Sequence, residues 1–477
     1  MKKSSNLFKN TLLYVLTNLF LKSASFLLLP FYSHYISPAD FGVFSILLAG
    51  YTIVVSFYQG GFQSSFSKFY LEARDDNQRE AALSQFFTLT MGISFIASAG
   101  CLLASRQLSN MLFSSGRYDT IIQILALTLL FDNFQTCALH VFKTKETIKP
   151  VAFFSVVPAV INVTVTIILL VGFGQGIMAI VNAQFISMFV VTAMLIPKIR
   201  NIVTWNIDRK YFVLFMKFAI PLMIAGGFTA MTDLVDRFIL RHYFDDAMVG
   251  IYSFAYRIGN IMMLFVISFR TAWTPHAINL YKKGDYAEHF GRSFGKLLFL
   301  SFTIFLSVSL LTPAIFDFSL PGNFHLFNPA YRPGLVIVPI ILMAYLFNGL
   351  LSFFSIYPYL SGKSWHFLVS DGIALGLNII GNLLLIPQLG LIGAALATLL
   401  SYFGSMLYLW WISNGKVETT INVNSALMLI TSAIVCFMVS FTINNLFVTL
   451  ICLFLFLITG VCMVGVHLLP PQLRGQK

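Results

Sequence analysis

The sequence predicts an all-α integral membrane protein of about 14 transmembrane helices, two six-helix lobes in parallel pseudo-repeat plus two extra C-terminal helices. Three observations lead there. Hydrophobic residues make up 58% of the 477-residue chain and charged residues 10%, with mean hydropathy +0.83, whereas soluble globular proteins carry about 25% charged residues. Apolar runs of spanning length follow one another with only short loops between them. The chain also repeats itself at long offset, the sign of a duplicated transporter-like plan.

Taking about 20 residues as the length that crosses the hydrocarbon core, the expected span cores are 11–34, 41–66, 82–104, 119–142, 151–172, 176–197, 212–241, 248–276, 296–317, 334–360, 367–386, 391–412, 424–444 and 446–467. The first follows a basic start, MKKSSNLFKN, but runs on too far and lacks an A-x-A-like end, so it reads as a retained span and not a signal peptide. The seventh and eighth are long enough to tilt or bend, with Pro221 and Pro275 toward one end. No loop between spans exceeds about 20 residues, so no soluble domain is expected.

The repeat is legible in two places. Residues 37–45 read SPADFGVFS and residues 245–253 read DDAMVGIYS, an offset of 208 that aligns Gly42 with Gly250, Phe44 with Tyr252 and Ser45 with Ser253. Asn162 with Asn378 and Gly174 with Gly390 form a second pair at offset 216. The implied units are residues 1–205 (spans one to six), 206–415 (spans seven to twelve) and 416–477 (the last two spans and a cytoplasmic tail). Six spans is an even number, so the two copies point the same way across the bilayer, about an axis along the membrane normal.

The net charge of +12 would suggest nucleic acid in a soluble chain. Here its placement is a topology signal. With the N-terminus inside, twenty-two Lys and Arg fall in cytoplasmic segments and five outside (Arg106, Arg117, Arg237, Arg241 and Arg332). This bias places both termini in the cytoplasm. The five cysteines sit in apolar runs without C-x-x-C or metal-ligand spacing, so neither a disulfide framework nor a metal site is expected. No P-loop and no H-E-x-x-H occurs, which argues against an ATPase or a metalloprotease; GRSFGK at 291–296 is one residue short and lacks the Ser/Thr.

Charges inside spans are costly, at least ~2.5–3.5 kcal/mol each on insertion scales, and need partners or a wet cavity. Asp233 and Arg257 fall near mid-membrane on the seventh and eighth spans, with Asp236 and Arg237 following Asp233 at i+3 and i+4. Lys22 and Asp132 fall near mid-span in the first lobe, and Arg270 lies deeper toward the cytoplasm. Two readings stand. In one, Asp233–Arg257 and Lys22–Asp132 are neutralising pairs, with Asp132, Asp233, Asp236 and Arg237 as salt-bridge or gating groups. In the other, Lys22, Arg257 and Arg270 line a water-filled cavity and bind an anion; guanidinium groups suit phosphate through their bidentate fork. Asp371, Asn378 and Asn382 form a polar stripe expected to hydrogen-bond between helices. Gly372 and Gly376 match G-x-x-x-G and suggest close helix contact; Gly60–Gly61 and Gly226–Gly227 read as bending or packing points. His140 and His276 are expected to be satisfied or hydrated histidines.

The segment LTNLFLKSASFLLLPFYSHYISPADFGVFSI, then Gln59-Gly60-Gly61-Phe62-Gln63, then SKFY, resembles the polysaccharide-biosynthesis (Wzx-type O-antigen or capsule) flippases of the multidrug/oligosaccharidyl-lipid/polysaccharide exporter superfamily. Ile36-Ser37-Pro38-Ala39-Asp40-Phe41-Gly42-Val43-Phe44 matches that family's L-S-P-x-x-[FY]-G-x-[FY] element except for Ile at its first position. Gly250 to Arg257 resembles its G-x-Y-x-x-A-x-[RK] pattern. The resemblance implies a MATE-like fold and a bacterial inner-membrane protein that is no enzyme. It implies movement of a polyprenyl-pyrophosphate-linked oligosaccharide (an O-antigen, capsule or exopolysaccharide unit) to the outer leaflet by alternating access. Partners would be that substrate, membrane lipids and polysaccharide polymerase machinery, with no nucleic acid and no cofactor; coupling to a proton or sodium gradient is left open. The alternative is a cation-coupled multidrug exporter, which would need acidic residues to dominate its cavity.

Overall fold

The computed structural model describes residues 17, 21, 26–200, 209–283, 286–320, 324–363, 365–415, 423–443 and 445–466. They form helices α1 (Leu29–Tyr35), α2 (Pro38–Glu72), α3 (Asp76–Leu103), α4 (Ser105–Phe113), α5 (Asp119–Thr144), α6 (Ile148–Ile167) and α7 (Ile177–Ile199). Then come α8 (Arg209–Tyr243), α9 (Asp246–Lys283), α10 (Tyr286–Asp317), α11 (Val338–Phe354), α12 (Ile356–Leu360), α13 (Trp365–Leu389), α14 (Leu391–Ser413), α15 (Val423–Ile443) and α16 (Leu446–Val466). Between α10 and α11, strands Ser319–Leu320 and Phe324–His325 pair antiparallel, and a 3₁₀ segment, Pro329–Ile337, leads into α11.

Among the described residues, 12 helices are long and apolar enough to cross a membrane. Of the expected first span, 11–34, the described part is α1 and the few residues before it; α16 covers the expected last one. Several helices outrun their predicted cores, because polar first and last turns continue the backbone ladder beyond the apolar stretch. The sequence reading missed α4. Its apolar positions span only two turns, too few to register as a run.

The chain divides into two compact units, Met1–Leu234 and Val235–Lys477. The expected boundary near 205 lies in a stretch outside the described residues, and the observed division falls within α8. In the first unit, α5 packs against α3 and α7, and α2 against α3. A cluster of Phe62, Phe66, Phe86, Phe87, Leu129 and Val141 forms its core, with Phe66 and Phe86 stacked at 4.7 Å. Helix α2 meets the first part of α8 through glycines: a Cβ on Gly227 would collide with the Phe57 ring, and one on Gly61 would lie 2.6 Å from the Ala219 carbonyl oxygen. Gly61 and Gly227 are therefore packing points.

In the second unit α11 packs against α9 and α14, and α13 against α14. The G-x-x-x-G expectation needs correction: a Cβ on Gly372 or Gly376 would meet nothing within 4 Å. The close α13–α14 approach uses Gly381, Gly393 and Gly404 instead, and a Cβ on Gly381 would lie 3.0 Å from that of Ala397. Helices α15 and α16 pack on α10, with Phe305–Phe437 rings 5.4 Å apart and Phe299–Phe456 rings 5.9 Å apart.

The repeat reaches the level of capping. Ser37 Oγ accepts from the Asp40 amide at 3.1 Å and so starts α2; Asp245 Oδ1 accepts from the Met248 amide at 2.8 Å and so starts α9, at the offset of 208 seen in the sequence. At the second site the pairing shifts. Gly176 (φ 57°, ψ −135°) precedes α7 and Gly390 (φ 57°, ψ −125°) precedes α14. Gly176, rather than Gly174, is the conformational counterpart of Gly390, and this backbone region is open to glycine almost alone.

Candidate functional site

The charged residues singled out from the sequence fall into three environments; Lys22 lies outside the described residues. Asp132, on α5 of the first unit, is half-buried and accepts a 2.7 Å hydrogen bond from the Tyr51 hydroxyl of α2 and another from Thr136 one turn on. Helix α3 adds further polar contacts to the same bundle: Asn133 Nδ2 donates to the Thr90 carbonyl at 2.9 Å, and Ser98 Oγ to the Ala126 carbonyl at 2.6 Å. His140 lies 2.8 Å from Ser67 Oγ and 3.0 Å from the Gln63 carbonyl through Nε2, the satisfied histidine expected.

The second environment is a sealed ion pair. Asp236 is 0% exposed and Arg237 6%. Arg237 Nη1 donates to Asp236 Oδ1 at 2.8 Å, and the Tyr252 hydroxyl of α9 donates to Oδ2 at 2.5 Å. The guanidinium lies over the Tyr256 ring at 4.5 Å, and Tyr256 shares a 2.8 Å hydrogen bond with Tyr345 of α11. Two charges thus enter a dry interior with each carboxylate oxygen occupied and the cation resting on an aromatic face. Near by, Arg241 Nε pairs with Asp246 Oδ1, bracing the turn from α8 to α9. Sequence reasoning found the two charges but not the three tyrosines, because an aromatic in an apolar run carries no signal of its partner. Asp233, one turn earlier on α8, is half-buried and falls in the first unit, whereas Arg257 falls in the second.

The third environment is the open face of α9. Gly259, Val266 and Arg270 face α11: a Cβ on Gly259 would lie 2.6 Å from Ile341, and one on Gly349 would lie 3.0 Å from Val266. Arg270 stands at the edge of this contact. Its Nη2 donates to Asn348 Oδ1 at 2.6 Å and to the Asn348 carbonyl at 3.2 Å, and its Nε to Ser352 Oγ at 3.2 Å. The side chain remains exposed with its guanidinium plane set by α11. Arg257 projects from nearly the opposite side of α9, two residues from Ala255, which points at the 3₁₀ segment, and from Gly259, which points at α11. Thirteen residues of helix separate the two arginines, about 20 Å along the axis. They form two stations along one helix and cannot grip a single phosphate together.

Between and beside them the exposed arc carries Ser268, Thr271 and His276 with Ile267. Ser268 and Thr271 return their hydroxyls to the carbonyls of Leu264 and Ile267, each at 2.9 Å. Asn378 and Asn382 on α13, both fully buried, bond to each other within the helix at 2.7 Å, and Asn378 reaches Thr398 of α14 at 3.5 Å, the interhelical role expected of the stripe shown at Asn378.

Comparison with solved structures places the fold. The chain matches lipid II flippase MurJ in an inward closed conformation with TM-score 0.75 and 17% identity, over 96% of this chain and 98% of that one. An inward-facing multidrug resistance MATE family transporter of the MOP superfamily matches with TM-score 0.65 and 13% identity, over 82% and 93%. An uncharacterized membrane protein of Haemophilus influenzae is 22% identical over 289 residues, 59% of this chain and 67% of the relative. The family described as polysaccharide biosynthesis protein matches residues 7–279. With more than half its length matched, this multi-pass membrane protein belongs to the polysaccharide biosynthesis protein family.

Proposed function

We propose that the protein is a flippase that carries a polyprenyl-pyrophosphate-linked oligosaccharide, an O-antigen, capsule or exopolysaccharide unit, from the inner to the outer leaflet of a bacterial cytoplasmic membrane by alternating access. The observation that carries this reading is the exposed Arg270, with Ser268 and Thr271 beside it, and the half-buried Arg257 about 20 Å away along α9. A sugar headgroup and its pyrophosphate cannot cross hydrocarbon unaided, while the polyprenyl tail can stay in lipid. Successive cationic stations let the pyrophosphate pass from one guanidinium to the next without being held too tightly to leave. Arg270, held by Asn348 and Ser352, presents a pre-set plane to a phosphate, so little side-chain entropy is lost on contact. Lys22 is proposed as a further anion contact. The buried Asp236–Arg237 pair and Asp132 with Tyr51 are proposed as elements that hold or release helix packing during the cycle.

The test is reconstitution of the purified protein into vesicles with a fluorescent lipid-linked oligosaccharide under an imposed proton or sodium gradient. Movement to the opposite leaflet, lost in Arg257→Ala and Arg270→Ala, supports the proposal; undiminished movement in both variants sinks the assigned contacts. A deletion strain that traps lipid-linked repeat units on the cytoplasmic leaflet supports the flippase. One that shows drug sensitivity alone supports the second reading, a cation-coupled multidrug exporter, which the fold shared with the MATE transporter keeps in view.

A further inference from the structure

We infer that the first unit carries a binding site for one acyl chain of an anionic phospholipid, formed by α2, α3, α4 and α5 on the side that carries the 104–118 connection. This inference stands apart from the proposed translocation and holds whatever the transported substrate is.

A cavity of about 190 Å³ lies there, walled by Ile46, Val54, Cys101, Leu112, Leu125 and Leu129 among others. An engineered apolar cavity of about 150 Å³ stays dry and binds benzene, so this one is large enough for a stretch of hydrocarbon and unsuited to water. Tyr51 is also part of the wall, but its hydroxyl is already donated to Asp132. The cavity therefore selects for an alkyl chain, and in a membrane-spanning helical unit the abundant source of alkyl chains is the surrounding bilayer.

The cavity is a built feature. Its end is closed by α4, a nine-residue helix that turns Leu108 and Leu112 inward while Arg106, Gln107 and Asn110 stay exposed. That helix is pinned in place. Ser109 Oγ donates to the Ser115 carbonyl at 2.6 Å and accepts from the Tyr118 amide at 3.1 Å. Gln123 Nε2 donates to Ser105 Oγ at 3.1 Å, and the Phe113 and Tyr118 rings meet at 4.9 Å.

The headgroup preference follows from charge. The closing segment carries Arg106 and Arg117, both exposed and neither in a salt bridge among the described residues. The Arg106 stem lies against Gly116, where a Cβ would be 3.7 Å from its Cγ and Nε, so the two arginine side chains leave from adjoining backbone. By the distribution of Lys and Arg this is the side opposite the basic loops, where five cations stand against twenty-two. Two of those five stand on the segment that closes the cavity, Arg106 on the exposed side of α4 and Arg117 just beyond it, and their charge favours a phosphate over a neutral headgroup there.

The experiment is native mass spectrometry of the full-length protein, delipidated in detergent and titrated with phosphatidylglycerol or phosphatidylcholine of identical chains. Wild type is expected to retain one phosphatidylglycerol. Ala126→Phe, which fills the cavity, is expected to weaken retention about tenfold, as displacing two or three methylenes from an apolar site should. The double variant Arg106→Gln with Arg117→Gln is expected to hold both lipids equally. A second measurement needs no substitution in the cavity. With Cys436, Cys452 and Cys462 changed to Ala, maleimide modification of Cys101 is expected to slow about tenfold when phosphatidylglycerol is added. Unchanged retention in Ala126→Phe, equal retention of both lipids by wild type, tighter retention of a polyprenyl phosphate than of phosphatidylglycerol, or unprotected Cys101 would each overturn the inference.

Discussion

Changing Asp236 to Asn keeps the shape of the side chain and removes its charge, taking a directly bonded carboxylate from the almost fully buried Arg237 guanidinium. The pair bond is 2.8 Å long and the carboxylate is 0% exposed, so solvent screens little of the interaction. Removing one partner of a buried pair costs on the order of 3–5 kcal/mol. Tyr252→Phe deletes only the hydroxyl that donates to Oδ2, a hydrogen bond to a charged acceptor, and should cost about 1.5–3 kcal/mol. Replacing both charges, Asp236→Asn with Arg237→Gln, removes the buried cation along with its carboxylate and should recover most of the loss. Detergent-driven unfolding of the purified protein, followed by fluorescence, gives the order of damage: Asp236→Asn worst, Tyr252→Phe next, the double variant mildest. If the double variant is as unstable as the two single changes summed, the charges are not coupled and the reasoning fails. Stability like wild type in Asp236→Asn would refute it more directly, by showing that water reaches Arg237.

Other outcomes follow from the same structure. Gly176→Ala and Gly390→Ala each force a side chain into a backbone region reserved for glycine, and should lower stability by about 1–3 kcal/mol apiece. Comparable losses at the two sites would confirm that they are counterparts, and a harmless Gly390→Ala would contradict it. Gly227→Leu should block the contact with Phe57 and prevent stable folding, measured as loss of the monodisperse peak on size exclusion, whereas Gly372→Leu, with open space around it, should be tolerated. Arg332→Ala breaks an ion pair with Asp317 whose side chains are 57% and 56% exposed, and should change stability by less than about 1 kcal/mol. A larger loss in thermal unfolding would mean that the pair braces the short hairpin of Ser319–Leu320 and Phe324–His325.

Much of the fold was legible in the chain itself. Span positions depend on local composition, because a bilayer demands about 20 apolar residues whatever their neighbours are. The repeat was legible because helix starts are encoded locally: Ser37 and Asp245 cap α2 and α9 at matching positions, and a cap needs only its own first turn. The candidate charges were legible too, since an ionisable residue inside a span is conspicuous.

What those charges do was decided by tertiary structure. Asp236 and Arg237 are enclosed where α9 and α11 bring Tyr252, Tyr256 and Tyr345 around them, and no sequence spacing announces a contact across 16 or 89 residues. Arg270 takes its orientation from Asn348 and Ser352, on a helix that begins 68 residues later. The G-x-x-x-G pattern on α13 failed for the same reason: a small-residue stripe permits close approach, but whether a neighbour arrives depends on the packing of other helices. Hydropathy and capping act over one or two turns and are written in the sequence by itself. Partner choice among membrane helices rests on many weak van der Waals contacts and a few hydrogen bonds, and these exist only once the bundle has formed.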